Sequence, residues 1–303
     1  MVGNRKPFFY DDLTLAGMRA FLSCHPGVDP AKVTVFQLDQ HGEVIHRDRL
    51  TSYLSLEERI GDNLFLLAQG EWFRVSADYL CRIEEQVCQI PDLTAALGLR
   101  DWLEDEPTEA VYNKELAQDR GWLHLDRANQ YYKNRQKIEP CDLLAPASTL
   151  AGPVQGITPG PLFLAVKDRK GRSSAPGLSH LFAQGLVSFE MMRGEHQLRD
   201  RITSEYEQHY GGTFALDGAI VVFAIADVRP FDPADANPAA GTLTLFSMVN
   251  LLKQAKEIRR LGGQVALCRI RRHENATARA AAVKQPGQAS QHAANTTPAG
   301  KAA

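Results

Sequence analysis

Hydrophobic and polar positions follow two regimes along the 303-residue chain. In the first, apolar runs are short, rich in β-branched and aromatic residues, and interrupted at glycine. VTVFQLDQHGEVIHRDRL (33–50) carries two such runs about His41-Gly42, and NLFLLAQGEWFRV (63–75) two more about Gly70, the pattern of two hairpins. Ser76 then predicts the cap of a helix with apolar positions Leu80, Ile83, Val87 and Ile90, which Pro91 ends. From about residue 108 the period changes. Thr108 to Ala117 reads as a short helix, and WLHLDR (122–127), KIEPCDLLA (137–145) and PLFLAVK (161–167) read as strands. A helix over 177–193, the strand AIVVFAIAD (219–227), the helix TLFSMVNLLKQAKEIRRLG (244–262) and the strand QVALCRI (264–270) complete an α-β-β-β-α-β-α-β order.

The segments 145–161 and 231–242, rich in Pro, Gly and Ala, read as long loops. The stretch after Arg272 holds too little apolar area to pack and is expected to be disordered. An α/β (α+β) protein follows, with a hairpin-rich N-terminal region over 1–105, a core over 106–272 and a tail over 273–303.

Chemistry enters where PLFLAV stops at Lys167. A lysine ending a strand buried on both faces must reach water or meet an anion. The basic turn Asp168-Arg169-Lys170-Gly171-Arg172 follows, then a helix with His180, Gln184 and Ser188 on one stripe and Leu178, Leu181, Phe182, Leu186 and Phe189 on the other. If 137–145 and 161–168 pair as adjacent antiparallel strands, Asp142 and Lys167 come to one sheet edge. Phosphodiester hydrolysis uses such a pair, because a carboxylate holds a hard cation while a lysine steadies the charge of the transition state. Asp142, Lys167, His180 and Gln184 are the candidate catalytic residues, and Asp142 with Glu139 or Glu190 the candidate ligands of Mg2+ or Mn2+. Arg169, Lys170 and Arg172, and on the later helix Lys253, Lys256 and Arg260, are candidate phosphate contacts on DNA or RNA. A salt bridge at the strand end and solvated helix faces are the structural alternatives.

Composition is that of an ordinary globular protein, 44% hydrophobic and 23% charged. The formal net charge of −2 supplies no overall basic field, so any nucleic-acid site must be a local patch. Five cysteines at scattered spacings fit neither a zinc site nor a disulfide framework and suit a reduced, cytoplasmic setting without membrane association. Phosphate-binding GxxxxGK[ST], dinucleotide GxGxxG and hydrolase GxSxG motifs do not occur.

The order of elements, with an acid on the second strand and a lysine on the third, resembles the restriction-endonuclease-like PD-(D/E)xK core. That motif places an acid two residues before the lysine, where this chain has Ala165. The blocks GEWFRVSADYL, AVYNKELA, IEPCDLL, VK with the following serines, LSHLFAQGLVSFE and LFSMVNLL also resemble a sporadically distributed bacterial family, of uncharacterised function, found near restriction and phage-defence genes. The chain departs from it at Ala165, where members more often carry histidine, and in the inserted Ala175-Pro176-Gly177. The resemblance implies a defence role against foreign nucleic acid alongside partner proteins of a defence locus. The expectations are a metal-dependent nuclease or a degenerate member of that fold, a non-catalytic nucleic-acid-binding or protein-interaction module, and a toxin-type enzyme acting on nucleotides or proteins.

Overall fold

The computed structural model describes residues 13–106, 108–125, 131–133, 136–138, 140–150, 152–169, 175–232 and 237–273. The chain divides into two compact units, Met1–Arg82 and Ile83–Ala303. In the first, helix α1 (Leu15–Cys24) starts at Thr14, whose hydroxyl accepts the Gly17 N–H. Strands β1 (Thr34–Leu38) and β2 (Val44–Arg49) form the expected hairpin, its turn held by the Asp39 carboxylate, which accepts the His41 and Glu43 N–H groups. A three-stranded antiparallel meander follows, β3 (Leu56–Ile60), β4 (Asn63–Ala68) and β5 (Glu71–Arg74), with Leu64 and Leu67 buried. Its second hairpin is the one expected about Gly70. Helix α2 (Ala77–Cys88) begins directly after Ser76 and stops short of Pro91.

The larger unit is built on a mixed five-stranded sheet ordered β12-β11-β10-β9-β6. Helices α3 (Thr94–Leu97) and α4 (Glu109–Arg120) lead into β6 (Leu123–His124). The expected strand over 137–145 is instead two pieces. After the separate hairpin of β7 (Tyr131–Lys133) and β8 (Gln136–Ile138), Pro140 withholds an N–H and the chain resumes as the three-residue β9 (Leu143–Ala145). Strand β9 pairs antiparallel with the seven-residue β10 (Leu162–Asp168), in register Leu162↔Ala145 and Leu164↔Leu143. Helices α5 (Ala175–Gly194) and α6 (His196–Tyr210) return the chain to β11 (Ile220–Asp227), and α7 (Leu245–Arg260) to β12 (Gln264–Arg271), both strands parallel to β10. Helix α6 was not expected, although Leu198, Ile202 and Tyr206 recur every four residues and are buried.

Both faces of the sheet are covered, as the unbroken apolar runs require. Strand β11 is buried at every position. Leu162, Leu164 and Val166 pack with Leu93, Leu97, Trp102, Tyr112 and Leu116 from the α3 and α4 side. The alternate residues face α5, where Phe182 meets Phe223 edge-on at 5.0 Å between ring centroids. Residues 91–102, expected in the N-terminal region, belong to the larger unit and line the outer edge of β12. Leu93 N–H donates to Leu267 O, and Trp102 N–H to Arg271 O, so that edge is closed to further pairing.

Gly185 sets how closely α5 approaches the sheet, since a Cβ there would lie 2.5 Å from Phe223 Cε1. Alanine normally strengthens a helix interior by about 1 kcal/mol over glycine. Gly185→Ala is nevertheless expected to lower stability by about 1–3 kcal/mol, because the aromatic ring has no room to retreat. Gly194→Ala, with nothing within 4 Å of the added carbon, serves as the control and should be neutral in the same denaturant titration.

Candidate functional site at the carboxyl end of the sheet

Because β9 is three residues long and β10 seven, the last turns of β10 lack a strand neighbour on that side. Side chains take over. The Asp142 carboxylate accepts the Val166 N–H at 2.6 Å, while its own N–H donates to Leu164 O at 3.0 Å. Two residues on, Glu109 Oε1 accepts the Asp168 N–H at 3.2 Å. Lys167 Nζ then lies 2.7 Å from Glu109 Oε1 and 3.0 Å from Oε2, both side chains about one-third exposed. The carboxylate that meets Lys167 is therefore Glu109, at the first turn of α4, while Asp142 is fixed at the adjacent amide of the same strand.

Glu109 is positioned by a well-anchored helix. The Thr108 hydroxyl accepts the Val111 N–H as cap, Tyr112 stacks on Trp102 at 4.5 Å, and its hydroxyl donates to Arg100 O at 2.8 Å. Burial pushes the Tyr112 phenol far above its usual range, so it acts as a neutral donor. One turn beyond Glu109 stands Asn113, fully buried, with neither polar atom of its amide hydrogen-bonded among the described residues. Glu109 and Asn113 were both missed in the sequence. The signal was Thr108 as a cap with polar residues four apart on an otherwise core-facing helix.

The polar stripe of α5 runs from solvent into the core. His180 is exposed, Gln184 half-buried and Ser188 buried at 6%. Ser188 borders an apolar void of about 10 Å³ with Cys141, Ala165, Gly185 and Met192, room for no more than a single water. Ala165, two residues before Lys167, is thus roofed by α5 and only 7% exposed. Near the start of the helix, Gly177 lies against the Lys167 stem, a Cβ there being 3.8 Å from Cε.

Other candidates fall elsewhere. Glu190 is two residues past Ser188, roughly 200° around the helix, and is exposed, so the structure does not bring it to Asp142. Glu139, Lys170 and Arg172, like the expected tail, lie outside the described residues. Lys253, Lys256 and Arg260 are exposed on α7, but that half of the helix leads into the start of β12, at the end of the sheet opposite Lys167, and Arg260 pairs with Glu257 at 2.8 Å. Arg169, expected in a solvent-facing basic turn, is 8% exposed and pairs with buried Asp227 at 2.7 Å. Asp227 also takes Arg229 through both oxygens, with nitrogens at 2.8–3.2 Å. Burial alone would raise its pKa, but the Arg229 side chain and backbone and the Arg169 side chain outweigh that and hold it down at about 2.

Among the described residues, the carboxylates at this strand end are engaged by the backbone rather than gathered as a magnesium ligand set. The amides that bind Asp142 and Glu109 are two residues apart, roughly 7 Å along the strand, whereas Mg2+ requires oxygens about 2.1 Å from itself in near-octahedral array. Among the described residues no group of three His, Cys, Asp or Glu side chains is arranged to hold a metal ion.

Two outcomes test this account. Ala165→Asp introduces a charge beneath α5 without a partner and should cost about 3 kcal/mol or more in chemical denaturation, with no gain in metal affinity by calorimetry. Asp227 has a folded-state pKa of about 2 against an ordinary 3.8, so it stabilises the fold above pH 4. That contribution, about 2 kcal/mol, is expected to fade as pH falls from 4 toward 2. Asp227→Asn should flatten the pH dependence of stability over that window.

A search of curated proteins found no match, nor did a search of solved structures. A family model does match, over residues 2–271, nearly the whole chain, and its description is a family of unknown function. The chain with its carboxylate-capped central strand and buried Ala165 therefore belongs to that family, DUF6119.

Proposed function

We propose that this chain is a nucleic-acid-binding protein of a defence system, built on a restriction-endonuclease-like core whose hydrolytic centre has been given over to packing. The observation that carries the reading is Ala165, buried beneath α5 where the nuclease motif would present an acid. The succession of α4, β6, β9, β10, α5 and β11, interrupted by the β7–β8 hairpin and by α6, gives an antiparallel meander followed by a parallel strand and supports the fold assignment. Engagement of Asp142 and Glu109 by strand amides supports a structural use of the two carboxylates. Lys167, partly exposed, and Arg229 and Arg271, exposed, give the same end of the sheet a cationic surface for phosphates. The defence role rests on the resemblance of the sequence blocks alone.

The decisive experiment compares wild type with Lys167→Met, which keeps the packed stem and deletes the charge. Wild type is expected to bind single- or double-stranded DNA or RNA with salt-dependent affinity and to cleave none of them with Mg2+ or Mn2+. The variant should bind severalfold more weakly, its log affinity falling less steeply with log salt by about one unit. Its loss of stability should stay within about 1 kcal/mol, since the Lys167–Glu109 pair is partly solvated. Metal-dependent cleavage by wild type that Lys167→Met abolishes would overturn the reading in favour of a nuclease.

A further inference from the structure

Beyond the Lys167 edge, the carboxyl ends of β11 and β12 gather a second set of charges. Asp227, 3% exposed, ends β11 and meets three guanidiniums: Arg169 at 2.7 Å, Arg229 at 2.8 Å and Arg269 at 3.9 Å. Arg269 is itself 7% exposed. Its Nη1 donates to Pro238 O and its Nη2 to Arg229 O, but its buried Nε–H has no acceptor among the described residues. Arg271, two residues on, is exposed and donates to Phe231 O. Both guanidiniums lie by the half-buried Phe231 ring, at 4.4 Å and 5.5 Å from its centroid. Carbonyl oxygens satisfy hydrogen bonds without neutralising charge, so among the described residues the guanidiniums of this cluster outnumber the carboxylates, Asp227 and the exposed Asp232. Asp92, the next carboxylate acting on Arg269, is already held by the Thr94 and Ala239 N–H groups. Burial lowers the Arg269 pKa, the Asp227 charge opposes that, and repulsion from Arg229 and Arg169 adds to the lowering.

We propose that this cluster is a phosphate-binding site, with Arg229 and Arg271 as the accessible contacts and Arg269 as the buried charge behind them. Each exposed guanidinium keeps donors beyond those its protein partners use, since the group has five N–H bonds in a fixed fork that matches phosphate oxygens. Phe231 holds the Arg269 and Arg271 planes in place, so little side-chain freedom is lost when the anion arrives. The ligand chemistry is a phosphate group, whether free, at a nucleic-acid terminus or within its backbone. The inference does not require Lys167 to have any role.

The test is calorimetric titration of the full chain with inorganic phosphate in low-salt, phosphate-free buffer, against sodium chloride of equal ionic strength. Wild type and Lys167→Met should both bind phosphate saturably. Arg271→Gln, at an exposed position, should weaken that binding about tenfold with an unchanged melting temperature, and Arg229→Gln should weaken it by at least as much. No saturable phosphate binding by wild type, or full affinity in folded Arg271→Gln, would overturn the proposal. Single-stranded oligonucleotides with and without a 5′-phosphate separate the sources. Preference for the phosphorylated form supports a terminal phosphate, equal binding supports the backbone diester, and binding of neither alongside phosphate supports the free anion while removing the nucleic-acid reading above.

Discussion

The structure turns on the mismatch between a seven-residue central strand and its three-residue neighbour. A strand buried on both faces cannot leave amides unpaired, because an unsatisfied buried N–H costs about 1–3 kcal/mol. Strand β9 begins only at Leu143, the register partner of Leu164, so the Val166 and Asp168 amides need acceptors from elsewhere. Asp142 and Glu109 supply them, one from the chain entering β9 and one from the first turn of α4. Lys167 then offsets the negative charge that this capping brings to the sheet. An acid-and-lysine constellation reminiscent of catalysis thus follows from backbone satisfaction, and the placement of α4 against Trp102 becomes part of the same requirement.

The two charged groups at this end of the sheet differ in kind. The Lys167–Glu109 pair is partly solvated, and such pairs contribute roughly 1 kcal/mol or less. Asp227, Arg169 and Arg269 are buried, where losing one partner strands another charge at a cost of several kcal/mol. The buried network also determines the path of the chain. Arg269 binds the carbonyls of Arg229 and Pro238, and Arg271 that of Phe231, so β12 holds the ends of the segment leaving β11. Strand ends, connecting segment and cationic surface are therefore mechanically linked.

Much of the larger unit was legible because its signals are local. The apolar runs of β10, β11 and β12 and the helix between β11 and β12 are strong periodic patterns, and the antiparallel pairing of β9 with β10 followed from their flanking the loop 145–161. What escaped depended on distant partners. Glu109 becomes important only when α4 is laid across the end of β10, and a sequence separation of 58 hides its pairing with Lys167. Arg169 reads as part of a solvent-facing turn until Asp227 is placed beside it by parallel pairing of β10 and β11. Helix α6 was legible in its spacing of Leu198, Ile202 and Tyr206, yet its purpose was not. Tyr210 at its end accepts the Leu123 N–H and donates to Leu144 O, bridging β6 and β9.

Ala165 and Gly185 are best understood together. Phe223 is the register partner of Ala165 on β11, and Gly185 is the helix residue that lets α5 settle onto Phe223. With a methyl group at 165 and no side chain at 185, the helix closes over the strand and leaves a void too small for more than about one water. An acid at 165 would need water, a cation or a hydrogen-bonding partner in that space, and therefore a helix held farther from the sheet. The small residue at 165 and the close approach of the helix are thus two aspects of one packing arrangement. An acid placed at 165 alone would find no room for a hydrated partner, because the space above the strand is occupied by α5.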